Sequence, residues 1–245
     1  MFQRFNKGCY GARVAETEAE LSAILALRAQ VFRGDRAACD RDRFDAQCRH
    51  VMVEDLSSGA VLCAFRLLHM ADGRDVARSY AAQFYDLTGL QSYGAPLVEV
   101  GRFCVAPEVA DPDILRVAWG AVTAYVDAQK VAMLFGCSSF DGVDAAPYHA
   151  AFTLLKDRHL APDHWRPGEN APEVFRFAQE LEGRAERKSA LLTMPPLLKT
   201  YLVMGGWVSD HAVVDRDLNT LHVFTGLEIN AIPPARARAL RAIAG

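Results

Sequence analysis

The chain has 245 residues and a mass of 26.9 kDa, with 51% hydrophobic and 23% charged residues, which excludes a disordered chain and suffices for a substantial core. Its 27 basic and 30 acidic residues give a formal charge of -3, which excludes a global pull toward nucleic acid or an anionic membrane. An acidic partner therefore has to be met by a local patch.

In chain order, "TEAELSAILALRAQVF" (17–32) spaces Leu21, Ile24, Leu25 and Phe32 as a helix does, and Thr17 followed by Glu20 predicts a capping box at its start. The polar run "RGDRAACDRDRFDAQ" has no period and is expected to be a long loop. "CRHVMVED" and "AVLCAFRLLHM", separated by "SSG", read as a hairpin, and "SYAAQFYDLTGL" as a short helix. "PLVEVGRFCV" (96–105) is a strand by its Val and Phe content, yet it carries Glu99 and Arg102. A long amphipathic helix over 114–130, with Asp111 or Asp113 near its start, precedes an apolar strand over 131–137 and a helix in "DAAPYHAAFTLLKDRH". Residues 160–190 hold no convincing strand and read as a loop or lid. "PPLLKTYLVMGG" reads as a helix, "LHVFTGLEI" as a final strand and "PPARARALRAIAG" as a closing helix. The alternation predicts one α/β domain over residues 1–245, a mixed sheet with helices on both faces and C-terminal additions to it.

Six scattered cysteines with neither a C-x-x-C pair nor Cys/His zinc spacing read as free thiols of a reducing cytoplasm, and no metal is implied. No apolar signal region or membrane-span window is found, so a cytoplasmic protein is expected, with peripheral attachment at the inner membrane left open.

Arg28 and Phe32, then Asp42 and Asp45, then Arg66, then Glu99 and Arg102, form an ordered set. In this order, and in the blocks "FDAQCRH", "MLFGCSSFDG", "KDRHLAP" and "PPLLKTYLVMGGWVSDHAVVD", the chain resembles the ornithine lipid synthases and, less closely, the acyl-homoserine lactone synthases. Both have the GNAT-like fold of the N-acetyltransferases. The resemblance, over roughly residues 12–228, implies transfer of a 3-hydroxyacyl chain from acyl carrier protein to the α-amine of L-ornithine. It also implies a splayed strand whose N–H groups near Phe103 and Cys104 form an oxyanion hole, and a tyrosine acid at the position of Tyr148. By the same resemblance Asp42 or Asp45 would hold the δ-ammonium, and Arg28, Arg66 or Arg102 the carboxylate.

The residues themselves agree in several respects. Aminolysis of a thioester needs a neutral amine and hence a base, and burial in an apolar strand raises a glutamate's pKa toward the working pH, so Glu99 suits the task. A structural Glu99–Arg102 ion pair is the alternative. Strict alternation puts the two on opposite faces, and Gly101 between them marks a candidate bulge. Phe32 is read as core or substrate contact, Tyr148 as packing or acid. His50 and Asp55 match an H-x4-D pattern of glycerolipid acyltransferases by chance, though His50 is a candidate to line the site.

Where relatives by fold that use coenzyme A have a glycine-rich turn, this chain reads "VAPEVADPDILR", acidic and without glycine. A donor on carrier-borne phosphopantetheine is therefore expected, with no tightly bound cofactor. Arg33, Arg36, Arg41, Arg43 and Arg49, or Lys156, Arg158, Arg184, Arg187 and Lys188, are candidates for the basic patch that would meet an acidic carrier protein. An acyltransferase for another amino acid such as glutamine, a lactone synthase, and a non-catalytic acyl-binding sensor are the rival readings.

Overall fold

Thr17 begins the first helix as its sequence predicts. Its side chain accepts from the Glu20 N–H, and the Glu20 carboxylate accepts from the Thr17 N–H, closing a capping box. The helix ends at Gly34, whose φ of 70° is the left-handed conformation that a side chain would resist. A computed structural model describes residues 4–244.

The elements run β1 (Phe5–Lys7), β2 (Tyr10–Val14), α1 (Glu18–Arg33), β3 (Arg49–Asp55), β4 (Val61–Met70), β5 (Tyr85–Asp86), β6 (Leu97–Val105) and α2 (Pro112–Gln129). They continue with β7 (Met133–Asp141), α3 (His149–Arg158), β8 (Gly168–Glu169), β9 (Val174–Phe175), α4 (Phe177–Glu180), α5 (Arg187–Thr193) and α6 (Pro196–Val203). The chain closes with β10 (Trp207–Val208), β11 (Ala212–Asp215), β12 (Thr220–Glu228) and α7 (Pro234–Ala244). The α/β class matches the expectation. By internal packing the chain divides into two compact units.

The first unit comprises the N-terminal segment through His69, Val98–Ala132 and the C-terminal helix. Its strands neighbour one another in the order β1-β2-β3-β4-β6, and the expected β3–β4 hairpin pairs His50 with Arg66 and Met52 with Ala64. Ile24 and Leu27 of α1 pack on Met52, Ala64 and Cys104, which fixes one face of the sheet. On the other face Phe103 stacks on Phe65 and on Trp119 of α2, so helices cover both faces of this unit.

The second unit comprises Met70–Leu97 and Met133–Pro233. Its strands run β7-β12-β11-β9, with β10 also on β12, and α3 packs there through Phe152 and Leu155 against Phe140, Leu221 and Val223. Three expectations are corrected here. The expected short helix over 79–90 is two 3-10 turns around β5, because Asp86 takes the Thr88 N–H and hydroxyl into a turn while Tyr85 pairs with Glu169. The strand expected over 131–137 runs Met133–Asp141, with Ser138 paired to Val223 in the ladder and its hydroxyl accepting from that of Thr225. The segment over 160–190 is no free loop: it supplies β8, β9 and α4, and Phe177 lies fully buried on Phe152.

Removing the cap tests the first helix. Thr17→Ala is expected to lower stability by about 1 kcal/mol, read as a shifted midpoint of chemical unfolding with unchanged helical signal.

Candidate active site

One face of the first unit's sheet, the α1 face, carries a buried charge network. Arg28 of α1 is 1% exposed. Its Nε donates to Asp40 Oδ2 at 2.8 Å, Nη2 to the Asp40 carbonyl at 2.6 Å and Nη1 to Asp45 Oδ1 at 2.7 Å. Arg66 of β4 donates through Nη1 to Asp42 Oδ1 and Asp45 Oδ1, each at 2.6 Å. Arg102 of β6 donates to Asp40 at 3.1 Å and to Asp42 at 3.3 Å. The loop between α1 and β3 thus places three carboxylates among three guanidiniums that come from three different elements.

The Asp45 carboxyl shows how the balance falls. Burial alone would push it up, but hydrogen bonds from Arg28, the Asp42 N–H and Arg66 outweigh that and hold it down to about 2. His50 donates from Nε2 to the Asp45 carbonyl at 3.0 Å, and burial lowers its pKa, so its ring is neutral at neutral pH. Its buried Nδ1 has no hydrogen-bond partner among the described residues.

β6 is bulged where the sequence places Gly101. Arg102 has a φ of 51°, outside any regular strand. A Cβ on Gly101 would lie 3.3 Å from Arg66 Nε, while Arg102 itself reaches Asp40 and Asp42. Two consecutive residues therefore face the same side, the signature of a bulge, and alternation carries Glu99 to that side with Gly101. The buried Glu99 carboxyl, like Arg66, Asp45 and Asp42, also acts electrostatically on the half-buried Cys48, whose thiol burial pushes up to about 12.

Arg28, Asp42, Asp45, His50, Arg66, Glu99 and Arg102 are thus brought together, and the Arg102 guanidinium also lies 5.6 Å from the ring of Phe32. Phe103 and Cys104 follow on the same strand, Cys104 buried in the core with its thiol likewise pushed up to about 12. Tyr148 belongs to the second unit, where its hydroxyl donates to the Asp141 carbonyl at 2.7 Å and its ring packs on Phe140. Burial raises its pKa.

The sequence reading missed Asp40, whose side chain is fully buried between Arg28 and Arg102, and it missed Cys48. The alternating "DRDRFD" run presents Asp40 as one of three acids without marking which of them turn inward. Arg33, a candidate for the docking patch, points Nε at Asp40 from 3.4 Å. Arg41 pairs with Glu18, and Lys156 donates to the Leu181 carbonyl.

The acetyltransferase (GNAT) domain family matches residues 27–120, which hold the whole network. An L-ornithine N(alpha)-acyltransferase of Rhodobacter capsulatus is 32% identical over 91% of this chain and 91% of its own length. This chain belongs to the L-ornithine N(alpha)-acyltransferase family. A second member, from Brucella abortus, is 29% identical over 92% of this chain and 86% of its own. An N-acyl amino acid synthase from uncultured soil microbes shares the fold of this family member, with a TM-score of 0.50 over 96% of each chain at 9% identity.

Two measurements test the network. Asp40→Asn leaves Arg28 and Arg102 short of a buried partner and is expected to cost about 3 to 5 kcal/mol in chemical unfolding, whereas Gly101→Ala, which only displaces Arg66, costs about 1 to 3 kcal/mol. Because Asp45 is held below its unfolded value of about 3.9, its contribution is fully present above that pH and is lost as pH falls toward about 2. Asp45→Asn should flatten the acid limb of stability against pH in that window.

Proposed function

We propose that this protein transfers a 3-hydroxyacyl chain from acyl carrier protein to the α-amine of L-ornithine, forming an amide and releasing the carrier thiol. The observation that carries this reading is a buried glutamate at a strand bulge beside a charge network, in a chain 32% identical to a protein named for ornithine N(alpha)-acylation.

Glu99 takes the ammonium proton, directly or through a water, so that the neutral amine attacks the thioester carbonyl. Backbone N–H groups near Phe103 and Cys104, where the bulge interrupts the strand, stabilise the tetrahedral oxyanion. A thiolate leaves readily, so an acid adds little, and the bond from Tyr148 to Asp141 supports a packing role for that residue.

The acids differ in exposure, and this supports a division of labour. Asp40 and Asp45 have side chains 0% and 5% exposed and are engaged by Arg28, whereas that of Asp42 is 23% exposed. We therefore assign the δ-ammonium to Asp42, and the carboxylate to Arg102, whose side chain is 8% exposed against 1% for Arg28 and 3% for Arg66.

The start of α2 supports a carrier-borne donor. Asp111 caps the helix by accepting from the Asp113 N–H at 2.9 Å, and Tyr10 donates to its other oxygen at 2.7 Å. A carboxylate thus occupies the helix terminus where a coenzyme pyrophosphate would have to bind. Arg36 and Arg49 are exposed and available to an acidic carrier.

Turnover of 3-hydroxyacyl carrier protein with a panel of amino acids tests the reading. Ornithine is expected to be the best acceptor, and Glu99→Gln to lower kcat by about 10² to 10⁴-fold with little change in KM for the donor. Unchanged turnover in Glu99→Gln removes the base assignment; preference for glutamine removes the acceptor.

A further inference from the structure

Three of the five exposed large hydrophobic residues among those described, Leu191, Leu192 and Val203, fall within thirteen residues of one another in the second unit. In α5 the buried side is set by Ala190, with Ser189 and Thr193 partly buried beside it. The opposite side carries Arg187, Lys188, Leu191 and Leu192, all exposed, with Leu192 77% exposed. Arg187 and Leu191 stand four apart, as do Lys188 and Leu192, so each cation lies one turn before a leucine on the same face.

The arrangement recurs in the next helix. α6 buries Leu198 and Tyr201, while Lys199 and the exposed Val203 stand four apart on another side. Among the described residues Arg184, Arg187, Lys188 and Lys199 make no ion pair, in contrast to Arg176 and Arg216 of the same unit, which pair with Glu169 and Glu173. The cations are well hydrated in water and the outward leucines are not, and a surface that is both anionic and apolar satisfies the two together.

We propose that α5, supported by α6, is a docking face for an anionic phospholipid surface, with Arg187 and Lys188 on the headgroups and Leu191 and Leu192 entering the acyl boundary. Long basic side chains reach back to headgroups while short apolar ones go deeper, which matches a face bearing both. An acidic carrier protein would be satisfied by the cations alone and gives no account of the paired leucines. No helix of the described residues is long and apolar enough to cross a membrane, so the attachment is peripheral and reversible.

Sedimentation of the intact protein with vesicles tests this, using phosphatidylcholine alone and phosphatidylcholine mixed one to one with phosphatidylglycerol. The wild type is expected to sediment with the mixed vesicles and to be released by salt. Arg187→Glu with Lys188→Glu, and separately Leu191→Ser with Leu192→Ser, should each weaken binding by about tenfold or more, with unchanged circular dichroism. Equal binding to both vesicle types, or leucine variants that bind like the wild type, overturns the proposal. So does a result in which vesicles do not bind and the charge variants alone weaken association with an acidic carrier protein. None of these readouts uses ornithine turnover, so failure here and failure of the enzymatic reading are separate results.

Discussion

The constraint on which the first unit depends is the burial of Arg28. A guanidinium 1% exposed costs several kcal/mol unless it is fully paired, and Asp40 and Asp45 supply the pairing, with the Asp40 carbonyl taking a further N–H. Both acids come from a loop with no hydrophobic period and little secondary structure. Its conformation is set by charge: the carboxylates have to meet guanidiniums fixed on α1, β4 and β6, and the same contacts tie those three elements together. Arginine suits such positions because its fork offers separate nitrogens to two acids, as Arg28 does with Asp40 through Nε and Asp45 through Nη1, and Arg102 with Asp40 through Nε and Asp42 through Nη2. Lysine would carry the charge without that geometry.

The bulge in β6 follows from the same network. Left-handed backbone at a non-glycine residue costs roughly 1 to 3 kcal/mol, and Arg102 adopts it with its guanidinium held by Asp40 and Asp42. Without the bulge, Arg102 and Gly101 would face opposite sides, and Glu99 would share the far face with the Phe103–Phe65 stack. Gly101 lets the Arg66 side chain lie close against β6, where any side chain would press on it. Strain at one residue therefore places three others.

Much of this was legible in the sequence, for reasons that are local. The Thr17–Glu20 box, the β3–β4 hairpin and the α2 start at Asp111 each rest on residues a few positions apart. Most of the network was legible as an ordered set of charges, and Gly101 marked the bulge. Asp40 was not, because which acids of "DRDRFD" turn inward is decided by arginines on other elements, twelve and more residues away. The segment over 160–190 was misread for a related reason: its polar composition hides Phe177, which is core only because α3 brings Phe152 against it. β10 and β11 escaped notice because "SD" interrupts them, although both pair with β12.

The charge count of the network bears on its chemistry. Arg28, Arg33, Arg66 and Arg102 against Asp40, Asp42 and Asp45 leave one positive charge over, which an ionised Glu99 balances. On the proposed mechanism Glu99 is neutralised when it takes the amine's proton, and the excess positive charge returns. A substrate carboxylate held by Arg102 offsets that charge on the network, while the δ-ammonium lies against Asp42 and the transfer of the proton from amine to Glu99 leaves the total charge of the site unchanged. An amine lacking the carboxylate would leave that charge unbalanced. On that proposed mechanism the network discriminates between an α-amino acid and a simple amine through the carboxylate at Arg102.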